Sequence, residues 1–103
     1  MQKDLFAAYE LCKAIHHIYT VREHAMAFKN GDMSVVDGFE LTDAERAALK
    51  KHDFAQMYAM HVHPVLLFHL SAILYPREHY LQNVVPKIKG VPNVWNDYYR
   101  DEA

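Results

Sequence analysis

Eight histidines stand among 103 residues, and full protonation would carry the formal charge from −2 to +6. Imidazole is the side chain that ordinarily titrates between about pH 5 and 8, so the chemistry this chain can do near neutrality starts there. The densest group is His61-Val62-His63, with His69 six positions on. Two imidazoles at i and i+2 diverge on a helix but share a side on extended backbone. Extended geometry suits this turn, because a residue preceding proline, here Pro64, avoids the α region. His61 and His63 are therefore the two residues a metal would use, with His16 or His17 as distant partners. No H-E-x-x-H occurs and no carboxylate follows in H-x-D/E spacing, so no metal site is expected from the motif itself. The alternative is a turn whose imidazoles cap backbone groups.

Cys12 and His16 stand at i and i+4 and can touch on one helical face. A Cys–His pair can generate a thiolate nucleophile. Cys12, however, falls on an apolar arc with no Gly-rich turn beside it, where a cysteine behaves as a small hydrophobe. No catalytic residue is expected. As the single cysteine, it forms no intramolecular disulfide and suits a reducing compartment.

Arg22 is expected to project from the middle of the same arc, where an unpaired guanidinium is costly to bury. Either it pairs with Asp32, Asp37 or Glu40, or it faces a ligand or a partner subunit. Glu23 beside it reads as a solvated residue.

These side chains need elements to hold them, and the periodicity supplies helices. From Asp4 to about Lys29, apolar residues recur at Leu5, Ala8, Cys12, Ile15, Tyr19 and Met26, and again at Leu11, Ala14, Ile18, Val21 and Ala25. The two stripes merge into an arc near half the helix circumference. Glu10, Lys13, His17, Thr20 and His24 take the opposite, solvated side. One helix of about 38 Å is predicted, with Asp4 as N-cap and Asn30-Gly31 as the stop. Residues 30–41 read as an ordered loop. Val35-Val36 suits a short strand there, with no second strand to pair.

Thr42-Asp43-Ala44-Glu45 is a capping box opening a helix to about Lys51. Asp53-Phe54-Ala55-Gln56 repeats that logic for a short helix through Met60. Pro64 starts a fourth helix, Val65 to Tyr75, which Pro76 ends. A fifth spans about Arg77–Val85. The tail from Val91 to Ala103 places Val94, Trp95, Tyr98 and Tyr99 at helical spacing, as a core-closing staple or an aromatic patch for association. The fold class is all-α: a small orthogonal helical array around one long N-terminal helix, in a single domain covering 1–103.

Apolar residues make up 51% and charged ones 23% of the chain, as in ordinary globular domains. Eleven Lys and Arg against thirteen Asp and Glu give no electrostatic case for nucleic acid or an anionic membrane. The N-terminus shows no signal-peptide apolar region, and the run Val65-Leu66-Leu67-Phe68 is far too short to span a bilayer. A cytoplasmic protein is expected.

The runs AFKNGD at the end of the first helix, LTDAERAALKKHDFAQMY, and PVLLFHLSAI together resemble the small α-subunit of protocatechuate 4,5-dioxygenase. The likeness is to the LigA-type domain of the extradiol aromatic-ring-cleaving dioxygenases. It covers about residues 5–73 and rests on Thr42–Glu45, Asp53-Phe54 and Leu70–Ile73 in that order. The resemblance implies an all-helical, non-catalytic subunit of an oxidoreductase of aromatic-compound catabolism. Such a subunit covers the active-site mouth of a larger extradiol-type catalytic subunit. The Fe(II) and the catalytic base belong to that larger chain, so no cofactor is expected in this one. Where the family carries a Gly-Gly-Asn turn, this chain has His61-Val62-His63, which puts two titratable groups near a partner's active site. The implied contact residues are Arg22, His17, Met60, His61, His63, Val65 and Phe68. Two other readings stand beside this one. One is a free-standing helical module that binds a metal or an acidic small molecule through His61 and His63. The other is a homo-oligomer sealed by Trp95, Tyr98 and the broad apolar arc.

Overall fold

The computed structural model describes residues 8–88, all of them in helices and the turns between them. The Asp4 cap and the tail residues Val94, Trp95, Tyr98 and Tyr99 lie outside that range.

Helix α1 runs Tyr9–Thr20 and α2 runs Arg22–Lys29. The single rod expected over Asp4–Lys29 is thus broken, at Val21, whose φ of −124° and ψ of 125° are extended. Two side chains favour the break. Thr20 Oγ1 donates to the His16 carbonyl at 2.7 Å, a back-bond that competes with the helical ladder. His24 Nδ1–H donates to the His17 carbonyl at 3.1 Å, satisfying an acceptor that the end of α1 would otherwise orphan. The Val21 carbonyl then accepts the Ala25 N–H at 3.0 Å, and α2 begins. The long helix becomes a corner.

Met33–Val36 forms a 3-10 turn instead of a strand. Asp32 caps it, its carboxylate accepting the Ser34 N–H at 3.0 Å and the Ser34 hydroxyl at 2.6 Å. The turn aims Val36 into the core, where it is fully buried. The loop that follows is tied to α1 through Glu10, which accepts the Glu40 N–H at 3.2 Å and pairs with Lys13 at 2.9 Å.

Helix α3, Asp43–Lys50, opens with the capping box: the Thr42 hydroxyl accepts the Glu45 N–H at 3.0 Å, and the Glu45 carboxylate accepts the Thr42 N–H at 2.9 Å. Such a cap contributes about 1 kcal/mol. Helix α4, Phe54–Ala59, is capped by Asp53, which accepts the Gln56 N–H at 3.1 Å. Helix α5, Pro64–Leu74, carries its proline in the first turn and ends at an extended Tyr75 before Pro76. The fifth predicted stretch is present and three residues longer. It comprises α6 (Arg77–His79), a π-helical turn (Tyr80–Val84) and α7 (Val85–Ile88).

Helix α1 buries Leu11, Ala14, Ile15 and Ile18, and α5 buries Leu67, Leu70 and Leu74. The two helices pack together, and the Tyr19 ring stacks on His69 at 4.7 Å. Phe28, Val36, Leu49, Met57, Val62 and Val84 close the core around them. Burying each such side chain contributes roughly 1.5–3 kcal/mol. Among the described residues no helix is long and apolar enough to cross a membrane.

Candidate functional site

Helix α5 is apolar on more than the side it buries. While Leu67, Leu70 and Leu74 face inward, Val65 is 52% exposed and Phe68 41% exposed. Their i, i+3 spacing puts both on one face. Ala72, four positions past Phe68, is exposed as well. The Phe68 ring packs edge-on against Tyr80 at 5.1 Å and against His69 at 5.6 Å, so the face is ordered at its centre. Helices that are apolar all round are ordinarily covered all round. On this helix Val65, Phe68 and Ala72 stay exposed among the described residues.

The turn leading into this helix holds Met60, His61 and His63, all half-buried. His61 sits at φ +78°. Its N–H donates to the Tyr58 carbonyl at 2.9 Å, and the Val62 N–H donates to the Met57 carbonyl at 3.1 Å. That pair of bonds is a Schellman closure, whose left-handed position usually carries glycine. Gly31 holds the same position after α2, and His52, at φ +56°, after α3. In two of three such closures, imidazoles occupy glycine's place. His63 is extended, and its Nδ1 accepts the Val65 N–H at 3.0 Å. It therefore caps α5 as a neutral ring, and burial holds its pKa below the usual imidazole value. Among the described residues no group of three His, Cys, Asp or Glu is placed to hold a metal ion.

The left-handed backbone at His61 has a measurable consequence. His61→Gly and His61→Ala both delete the imidazole, but alanine keeps a Cβ that crowds this conformation by about 1–2 kcal/mol. The glycine variant is expected to be about 1 kcal/mol more stable than the alanine variant in chemical denaturation, since its freer unfolded chain offsets part of the relief. Equal stabilities would remove the assignment.

The other contact residues are dispersed. Arg22 opens α2 beyond the corner and is exposed. The break at Val21 takes it off the apolar arc, so its guanidinium is not buried. None of its three expected carboxylates pairs with it: Asp37 bridges Arg46 at 3.1 Å, Asp32 caps the 3-10 turn, and Glu40 forms no ion pair among the described residues. His17 is half-buried, where the helical pattern expects a solvated residue. Its ring stacks on His24 at 4.0 Å and meets Phe39 edge-on at 5.3 Å. Burial, and then the neighbouring His24, lower its pKa.

Cys12 and His16 line a shallow apolar groove with Tyr9, Lys13, His17, Thr20, Phe39 and Leu66. Burial pushes the Cys12 thiol up, which opposes a thiolate and suits the small-hydrophobe role.

A second constellation escapes any motif. His52, Tyr75, His79 and Asn83 line one cleft of about 430 Å³ between the α3–α4 turn and the helix after Pro76. His52 Nδ1 and the Tyr75 hydroxyl lie 2.8 Å apart, Tyr75 stacks on His79 at 4.0 Å, and Asn83 Nδ2 donates to His79 Nδ1 at 3.2 Å. Burial lowers the pKa of His52. The spacing of Tyr75, His79 and Asn83, four residues apart, is the signal available in the sequence. The pairing with His52 lies 23 residues away and has none.

No family model matches this chain, and neither the curated proteins nor the solved structures provide a match.

Proposed function

We propose that the chain is a non-catalytic helical subunit that docks through the outer face of α5 onto a larger catalytic partner. The observation that carries this reading is the exposed Val65–Phe68 face on a helix whose other side is core. Uncovered apolar area of this kind marks association surfaces. Met60, His61 and His63, in the turn at the N-terminal end of that face, extend the contact. The resemblance of residues 5–73 to the extradiol dioxygenase α-subunit suggests the partner's class: an aromatic-ring-cleaving chain that holds Fe(II) itself. In that pairing this chain covers the mouth of the partner's site and keeps water from it. The cytoplasm, where a lone thiol stays reduced, is the matching compartment.

Co-expression with an extradiol-type catalytic subunit of about 30 kDa, a usual size for one or two domains, tests the reading. The expected result is a stoichiometric complex that Val65→Asp with Phe68→Asp abolishes, while the far-ultraviolet spectrum of the isolated chain is unchanged. Ring cleavage of a catechol by the isolated chain with Fe(II) would overturn it. So would a complex that survives the double substitution, or a symmetric dimer of this chain formed through the same face.

A further inference from the structure

The cleft around His52 and His79 has none of the docking-face residues Met60, His61, His63, Val65 or Phe68 in its lining. Its lining includes Lys51, His52 and Asp53 from the α3–α4 turn, Tyr75 from the end of α5, and His79, Asn83 and Lys87 from the stretch α6 to α7. At about 430 Å³ it lies at the small end of the range for ligand pockets.

Its hydrogen-bonding inventory is one-sided. A carboxamide nitrogen can only donate, so the Asn83 bond makes His79 Nδ1 an acceptor and leaves the proton of the neutral ring on Nε2. A phenol is a better donor than a neutral imidazole, so Tyr75 donates to His52 Nδ1 and places that proton on Nε2 too. Neither Nε2–H has a partner among the described residues. Two lysines, Lys51 and Lys87, line the same cleft, against one carboxylate, Asp53, which already accepts the Gln56 N–H. The cleft therefore offers donors and positive charge and has little with which to satisfy them.

Two backbone features shape this lining. His52 is held in the left-handed region, where glycine is usual. The π-helical turn Tyr80–Val84 brings Asn83 and Val84 to the wall, and such turns recur at functional sites. The Tyr75–His79 stack, with Phe54 beside both rings at 6.4 and 6.5 Å, supplies a flat aromatic side.

We propose that this cleft binds a small molecule bearing a phosphate or carboxylate group, held by Lys51 and Lys87 and by the Nε2–H donors of His52 and His79. The oxyanion supplies the acceptors that the lining lacks, and the aromatic side accommodates the rest of the molecule. The cleft shares no lining residue with the docking face, so its occupancy is tested on this chain alone.

Nuclear magnetic resonance of the full chain, following the imidazole Cε1–H signals, provides the test. Inorganic phosphate and acetate are titrated separately at millimolar concentration, with sodium chloride matched for ionic strength because salt screens exposed charge. Saturable shifts confined to the His52 and His79 signals are expected with at least one oxyanion. Whichever saturates first tells phosphate from carboxylate. Lys51→Ala combined with Lys87→Ala should weaken that binding about tenfold. Both lysines are exposed, so the fold is retained. Chloride reproducing the shifts, shifts spread evenly over all eight histidines, or a double variant that binds as before would each overturn the proposal. The first two readouts need no variant.

Discussion

Replacing Leu67 with alanine is expected to cost the domain about 3 kcal/mol, while the same change at Phe68, one residue on, costs about 1 kcal/mol or less. Leu67 has no exposed surface and belongs to the core that α5 shares with α1, so its truncation leaves a cavity as well as losing transfer energy. Phe68 is 41% exposed, so its truncation gives up ring contacts with His69 and Tyr80 and part of its buried area but leaves no enclosed cavity. Domains of this size are stable by only about 5–15 kcal/mol, so the Leu67 variant should melt roughly 15 °C lower. Thermal denaturation of both variants reads the difference directly. Similar losses at the two positions would mean that α5 does not present two distinct faces, and the docking proposal would fall with that distinction. A large loss confined to Leu67 makes Phe68 usable as a docking probe without disturbing the fold.

The second large effect is on acidification. Burial lowers the pKa of His17, His52 and His63. An unfolded imidazole titrates near 6.5, so below that pH the unfolded chain binds more protons than the native one, and stability falls as pH falls. The stabilisation is complete above about pH 7 and is lost as the pH drops through the lowered native values. At His63 the cause is visible in the geometry. Protonating Nδ1 removes the acceptor of the Val65 N–H, so the N-cap of α5 is lost at a cost of about 1 kcal/mol. The gain in net positive charge adds self-repulsion. Carboxylates such as Glu10, held low first by its bond to Lys13, protonate only at more acid pH. Melting temperature should therefore be flat from about pH 7 to 8 and decline between about pH 6.5 and 5. His63→Asn, which retains a capping oxygen, should flatten part of that decline. A profile identical to that of the unsubstituted protein would remove His63 as a cause.

What could be read from the sequence followed the range of the interactions. The capping box at Thr42 and Glu45, the cap at Asp53 and the proline opening α5 all act within three residues, and each stands where the pattern put it. The corner at Val21 has no Gly or Pro to announce it. It depends on a threonine back-bond and on an imidazole reaching a carbonyl seven residues away, neither of which apolar periodicity records. The histidines at φ > 0 were hidden for a related reason: a Schellman closure is legible when glycine fills it, and here His52 and His61 do. The Val65–Phe68 face lay within the residues singled out for contact. The cleft was illegible because its walls come from Lys51 to Lys87 and meet only after the chain has folded.

The packing of α1 on α5 also bears on synthesis. Ile18 is the last buried residue of α1, and the α5 side chains that share its core end at Leu74. A ribosome adding about 5–20 residues/s needs roughly 3–11 s to cover that interval. Throughout it the apolar arc of α1 emerges before its cover exists. Helices α1 and α2 hold 12 and 8 residues, too short to be stable alone in water. The nascent α1–α2 segment is thus an unfolded, adhesive stretch for seconds, the kind of client that chaperones retain until α5 arrives.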